Sequence, residues 1–282
     1  MPDRADAHIH LFEGGIRGSF VGRPGVQIDE AACYGSLARD HGVKAALIVG
    51  YAGTDWCAQN NAFLARTTPD LDWARPAAYV DPTQPLSTAQ LDQFAQEGFV
   101  GLVFYLASED QTQALSRMSN DIWSWLVQHR WLVSVNSGGQ HLNCWPPLLN
   151  KHSELRLVLS HLGAPPRVQS SLSAPDAKRA LAEVLALAPF PGPRVKLSGF
   201  YAVSDPPYDY PHERTWPYVE TLLDAYGAER LLWGSDFSPA LDALSFPQTF
   251  GLFAKMPFLS DRDRAKIEGE NLLGLLEEVE TG

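Results

Sequence analysis

Cysteine is scarce: the 282 residues contain three, at Cys33, Cys57 and Cys144. They are odd in number, widely spaced and in no C-x-x-C pattern, which argues against a disulfide framework or a thiolate zinc site and fits reduced thiols. Long hydrophobic runs are also missing. The longest, near Ala45 to Ala52, falls far short of the ~20 residues of a membrane helix. The opening MPDRADAHIH lacks the apolar stretch of a signal peptide, so the expected location is cytoplasmic. Positive charge is in deficit, with 22 Lys and Arg against 33 Asp and Glu and a formal net charge of −11. Such a field disfavours nucleic acid and anionic membranes. The expected partner is a small-molecule substrate, with self-association into a homo-oligomer left open. No linker, charge block or fixed-period repeat divides the chain, so a single domain over residues 1–282 is expected. Gly14, Gly15, Gly18, Gly22 and Gly25 are dense but lack the G-x-G-x-x-G spacing of a dinucleotide fold. They read as a flexible loop over the site.

What the chain does have is a series of short β-rich apolar runs. Strands are expected near Ala5–His10, Lys44–Gly50, Ala74–Tyr79, Val100–Tyr105, Leu132–Asn136, Arg156–Ser160, Arg194–Ser198 and Leu231–Ser235. Their starts are roughly 25–40 residues apart, the size of a βα unit. They are apolar on both faces, as parallel strands covered by helices must be. Helix signals lie between them. Ser173 and Pro175 open one helix, with Leu181, Val184, Leu185 and Ala188 on its apolar face. Thr215 and Pro217 open another, with Val219, Leu222, Leu223 and Tyr226 inward and Gly227 as its stop. Ser260 caps a last helix running towards Leu276. Eight such units predict an α/β fold, a single (β/α)8 TIM barrel with room for an extra C-terminal helix.

Chemistry in a barrel sits at the C-terminal ends of its strands. The first strand ends in Asp6-Ala7-His8-Ile9-His10. Residues two apart on a strand share a face, so His8 and His10 can meet one ion or one substrate atom. His161 and Asp236 end the sixth and eighth strands; alone, either could be a satisfied polar group, and Asp236 could simply cap a helix or orient a histidine. Asn136 lies at a corresponding depth on the fifth strand. Lys196 and Ser198 on the seventh are candidates for holding a substrate if they face inward; an outward or ion-paired Lys196 is the plainer reading. Phe12, Trp56, Tyr105, Tyr201 and Phe237 would furnish walls, though each could be packing alone. The proline-rich run Asp205–Pro211 cannot hold regular structure and reads as a rim loop. Few cations lie near the rim, with Arg17, Arg23 and Arg167 as exceptions, which favours a neutral or hydroxylated substrate over a dicarboxylate.

Taken together, D-x-H-x-H at Asp6–His10, S-H-L-G-A-P at Ser160–Pro165, K-L-S-G at Lys196–Gly199 and L-W-G-S-D-F-S-P at Leu232–Pro239 resemble the amidohydrolase superfamily. The nearest likeness is its amidohydrolase-related branch, which includes sugar lactonases and 2-pyrone-4,6-dicarboxylate lactonase. The closing Glu270-Asn271-Leu272-Leu273 is similar too, so the likeness runs over nearly the whole chain. It implies metal-ligand positions at His8 and His10, a ligand and general base at Asp236, and a metal-binding or carbonyl-polarising role for His161. Two departures stand out. Asn136 occupies the position where the superfamily usually has a fifth-strand histidine, and the fourth strand, Gly101–Tyr105, is uncharged. A binuclear centre bridged by a carboxylated lysine is therefore not expected. The resemblance implies one divalent cation, zinc first, held by His8, His10 and Asp236 with Asn136 or His161 assisting, or no metal at all.

The leading expectation is a hydrolase of a lactone or related carboxylic ester, with catalytic Asp236 and His161 and with Phe12, Tyr105, Asn136, Lys196, Ser198 and Tyr201 about the substrate. A metal-dependent non-oxidative decarboxylase of the same superfamily is the second, and a ligand-binding barrel without turnover the third.

Overall fold

The computed structural model describes residues 3–16 and 280 downwards to 28, that is 28–280. Arg17, Gly18, Gly22, Arg23 and Gly25, expected near the mouth, lie outside the described residues. Eight parallel strands run in chain order around one sheet: β1 Arg4–Ile9, β2 Val43–Val49, β3 Ala74–Tyr79, β4 Gly101–Tyr105, β5 Leu132–Asn136, β6 Arg156–Leu159, β7 Arg194–Leu197 and β8 Leu231–Trp233. Helices follow the strands, as the sequence spacing requires. The expected (β/α)8 barrel is therefore the observed fold.

Period-two alternation sorts the strand residues into two buried clusters. Ile48, Leu102, Phe104, Val133, Val135, Leu157, Leu159, Val195, Leu197 and Trp233 pack outward with helix residues such as Tyr34, Leu126, Leu149 and Leu222. Leu47, Val49, Val103, Leu132, Val158 and Leu232 belong to a smaller cluster on the alternate face. Ser134 and Lys196 are fully buried on that same alternation.

The ring closes differently from the rest of the sheet. Between β1 and β8 the described residues make an isolated bridge, Ile9 to Phe237, and no regular ladder. Two backbone bonds supply the seam at the mouth: Asp236 N–H to His8 O at 2.8 Å and His10 N–H to Phe237 O at 2.6 Å. The C-terminal helical run covers the same seam. Arg4 pairs with Glu268 at 2.9 Å. Asn271 Nδ2 donates to Ala228 O at 2.7 Å and Leu231 O at 2.8 Å.

Several local expectations change. Ser173 caps its helix by accepting from Asp176 N–H, but the helix ends at Ala180, and a separate turn spans Ala182–Leu185. Leu181 breaks it with φ −104° and ψ 12°, while Pro189 and Pro191 bar any extension. Leu181 and Val184 still reach the core. Thr215 precedes the helix Trp216–Tyr226 without capping it; its hydroxyl donates to His212 O at 2.8 Å instead. Gly227, at φ 68°, stops that helix as expected. Ser260 caps with a reciprocal Asp263 bond, and the run continues through a π-turn at Lys266–Glu270 into Asn271–Glu280. All three cysteines are free, and no helix among the described residues is long and apolar enough to cross a membrane.

The Asp205–Pro211 run is irregular and tied down. Asp205 N–H donates to Val168 O at 2.9 Å, and Arg214 pairs with Asp209 at 2.8 Å. Arg167 is engaged there as well, with Nε on Ser204 O at 3.0 Å and an ion pair to Asp205 at 3.5 Å, so it is not a free cation at the mouth. Next to this run, His212 is fully buried with both ring nitrogens unpartnered among the described residues. Burial, opposed by the Asp209 carboxylate, pushes it down to about 4. The unfolded chain binds that proton at the ordinary pKa of about 6.5. Stability from this group is therefore complete above pH ~6.5 and lost as pH falls towards ~4. His212→Asn, which tolerates the left-handed backbone at φ 60°, should flatten the fall in urea midpoint between pH 6.5 and 4. An unchanged slope would show that another group sets it.

Candidate active site

Asp6, the first residue of the D-x-H-x-H motif, is the keystone of the mouth. Its Oδ1 accepts from Ser235 N–H at 2.8 Å and from His8 N–H at 3.1 Å, while Oδ2 accepts from the Tyr34 hydroxyl at 2.9 Å. The carboxylate thus replaces ladder bonds that β1 and β8 do not make. It also explains why β8 stops at Trp233 rather than the expected Ser235. Burial raises Asp6 to about 6, with the bonds from Ser235, His8 and Tyr34 pulling the other way.

A second buried carboxylate clamps the loops beyond the seam. Glu30 accepts from Phe12 N–H at 2.8 Å, Ile16 N–H at 3.0 Å and the Ser238 hydroxyl at 2.5 Å. The backbone itself is bent for the site. Asp236 and His161 both sit in the left-handed region, at φ 58° and 52°, which non-glycine residues adopt only where surrounding structure enforces it. Two motif glycines make room. A Cβ on Gly199 would lie 2.5 Å from His161 Nδ1, and one on Gly234 would lie 2.7 Å from His8 Cβ.

These constraints bring the expected residues together. His8 Nε2 and His10 Nε2 are 3.2 Å apart, and Asp236 Oδ1 is 3.6 Å from the first and 3.7 Å from the second. His161 joins them, with its ring 4.5 Å from that of His8 and Nδ1 4.0 Å from Asp236 Oδ2. Ligand atoms of His8, His161 and Asp236 all fall within 4.8 Å of one another, but the His8–His10–Asp236 triangle is tighter. Burial lowers the pKa of all three histidines, most of all His8, which also faces Lys196 and the other two rings. The Asp236 carboxylate opposes the effect at His10 and His161. All three imidazoles are therefore neutral near pH 7.

The donor set suits a cation. Two donor atoms ~2.1 Å from one tetrahedral zinc lie about 3.4 Å apart, close to the three edges of the triangle. His10 is pre-set for this, because its Nδ1 lies 2.7 Å from Val49 O, which puts the proton there and the lone pair on Nε2. His8 Nδ1 faces Lys196 Nζ at 3.5 Å. Burial lowers Lys196 to about 7 despite the nearby Asp236 and Asp6.

Other expected residues take supporting positions. Lys196 is fully buried, with Nζ 2.7 Å from Ser134 Oγ, so it lies behind His8 instead of reaching for a substrate. Ser198 Oγ accepts the His161 backbone N–H at 3.2 Å and lies 3.1 Å from its Nδ1. A Ser198 proton on Nδ1 leaves Nε2–H as a donor. Tyr201 donates to Asp236 Oδ2 at 2.6 Å and is only partly buried. Phe12 is buried, its ring stacked on His10 at 5.9 Å and tilted against Trp56 at 4.8 Å. Asn136 ends β5 beside Tyr105, where its amide opposes the rise in that phenol's pKa. Sequence reasoning missed Asp6, Glu30 and Tyr34 as holders of the seam. Only Asp6 carried a signal, its place at the head of the motif.

Comparison with known proteins shows the family and the fold. The amidohydrolase family's sequence profile matches residues 5–272. An L-fucono-1,5-lactonase from Burkholderia ambifaria is 34% identical over 98 residues, which is 35% of this chain and 31% of that protein's own length. An amidohydrolase from Burkholderia multivorans solved with bound zinc superposes at TM-score 0.74 with 22% identity, covering 98% of this chain and 99% of that one. A probable 2-pyrone-4,6-dicarboxylic acid hydrolase from Acinetobacter baumannii gives TM-score 0.72 at 18% identity, covering 98% and 99%. At these identities the solved structures establish the shared fold.

Removing the Asp6 side chain would orphan three buried donors at about 1–3 kcal/mol each. Asp6→Ala should therefore lower unfolding free energy by about 3 kcal/mol or more in urea titrations. Asp6→Asn, which keeps an acceptor for Ser235 and His8, should lose clearly less. Equal losses would mean that the acceptor is not what holds the seam.

Proposed function

Because the chain belongs to the amidohydrolase family, and is thereby a hydrolase, we propose that it opens a lactone, or a closely related carboxylic ester, by adding water at the β1–β8 mouth. The observation that carries this reading is the close set of His8, His10 and Asp236 beside a His161 held by Ser198. Asp236 Oδ2 is occupied by Tyr201, so Oδ1 is the oxygen left to take a proton from water. The water oxygen forms the new bond to the carbonyl carbon. His161 Nε2–H donates to the carbonyl oxygen as negative charge grows there. When the C–O bond of the ring breaks, Asp236 returns its proton to the alkoxide, giving a hydroxy acid. His8, His10 and Asp236 would hold one divalent cation, zinc by the donor set; such an ion supplies Lewis-acid polarisation and an activated water. The partial likeness to a fuconolactonase supports the lactone reading.

The test is a lactone panel followed by acid release at constant pH, with carbon dioxide measured in parallel. Acid without carbon dioxide is expected. Carbon dioxide release would instead identify a decarboxylase. Asp236→Asn should lose at least 1,000-fold in kcat with its fold intact by circular dichroism; near-normal turnover would remove Asp236 from the chemistry.

The cation is tested separately by elemental analysis of zinc-equilibrated protein. His8→Ala should fall well below the wild-type zinc equivalent. Unchanged stoichiometry would put the ion elsewhere.

A further inference from the structure

The wall of the mouth formed by β2, β3 and β4 has a different character from the seam. Its strand ends carry three phenols: Tyr51 just past β2, Tyr79 closing β3 and Tyr105 closing β4. The rings form one triangle, with centroids 4.7 Å apart for Tyr51 and Tyr105, 5.5 Å for Tyr51 and Tyr79, and 6.0 Å for Tyr79 and Tyr105.

Two adjacent asparagines fix the backbone beneath two of these rings. Asn60 Oδ1 accepts the Tyr51 N–H at 3.0 Å, and its Nδ2 donates to Leu11 O at 2.8 Å. Asn61 Oδ1 accepts the Tyr79 N–H at 2.9 Å, and its Nδ2 donates to Tyr79 O at 2.8 Å. Both amides are given over to holding main chain, which is how a binding surface is pre-organised. Tyr105 lies near enough to Asp236 for that carboxylate to raise its pKa further, after burial, with Asn136 opposing the rise. Burial and Asp81 raise Tyr79 as well. Both phenols therefore stay protonated and neutral.

Gly50, Tyr51, Tyr79, Tyr105 and Asn136 include no cation, while Asp81 and Asp236 act on the tyrosines from either side. Among the described residues these tyrosines feel carboxylates and no cation, so an anionic substituent is disfavoured on this wall. A hydroxylated ring suits the surface: aromatic faces cover its C–H face, and phenols both donate to and accept from its hydroxyls.

We propose that Tyr51, Tyr79 and Tyr105 are the specificity wall of the pocket, binding the uncharged, hydroxylated part of the substrate away from its reacting carbonyl. The assignment rests on the hydrolase reading above and adds to it the residues that choose the substrate.

The experiment compares wild type, Tyr51→Phe and Tyr79→Phe, each checked for folding by its urea midpoint. The measured quantity is the ratio of kcat/KM for glucono-1,5-lactone to that for δ-valerolactone, which lacks the hydroxyls. The wild type should favour the hydroxylated lactone, and each Phe variant should lose about tenfold of that preference, one hydrogen bond's worth. An unaltered ratio in both variants overturns the wall even if hydrolysis stands. If no lactone is turned over, the hydrolase reading falls, and calorimetric titration with 1,5-anhydroglucitol decides the wall by itself. Binding to the wild type that weakens in the Phe variants would sustain it, and equal or absent binding would overturn it.

Discussion

One carboxylate, buried where the first and last strands meet, holds the rest of the mouth in place. A barrel of eight strands has seven ordinary ladders and one closing seam, and here the seam has too few backbone bonds to align itself. Asp6 makes up the difference by taking N–H groups from both sides, His8 on β1 and Ser235 beyond β8. Its own strand carries His8 and leads directly to His10, and the chain it grips from β8 leads directly to Asp236. Closing the barrel and assembling the site are therefore the same event. Tyr34 beneath and Glu30 beside it extend that grip into the two loops that leave the seam.

Such a joint is costly, because a buried carboxylate loses solvation that only well-made hydrogen bonds can offset. Asp6 shows the strain of that balance in its raised pKa. The surrounding charges are nevertheless matched. Lys196 sits between Asp6 and Asp236 in the electrostatic sense, and both carboxylates favour its charged form against burial. Neutral histidines fill the remaining space. Anionic oxygen and imidazole nitrogen thus gather at the β1–β8 seam and neutral phenols at the ends of β2, β3 and β4, the division on which the proposed split between bond-breaking and recognition rests.

Much of the architecture was legible in the residues. Strand positions followed from short runs apolar on both faces, and their spacing gave the barrel. His8 and His10 followed from strand periodicity and His161 and Asp236 from their strand ends, because barrel geometry forces such positions towards one mouth. What stayed hidden depended on side chains reaching across elements. Nothing in the local pattern told that Tyr201 would donate to Asp236 or that Ser198 would attend His161. For Lys196 the plainer reading was an outward or ion-paired side chain, and its full enclosure was hidden because depth depends on the packing around it. Tyr51 and Tyr79 escaped notice because each looks like ordinary strand-end packing until three strands are seen side by side. The broken helix at Leu181 was hidden for a similar reason: its apolar spacing is helical on both sides of the interruption.

The central claim is that Asp6 acts as the missing ladder partner at the seam. Residue-resolved amide hydrogen exchange of the unmodified protein tests it most directly. If the claim is right, the Ser235 and His8 amides exchange as slowly as those in the middle of β5, although Ser235 lies outside any strand. Exchange of the Ser235 amide at the rate of an exposed loop would contradict it.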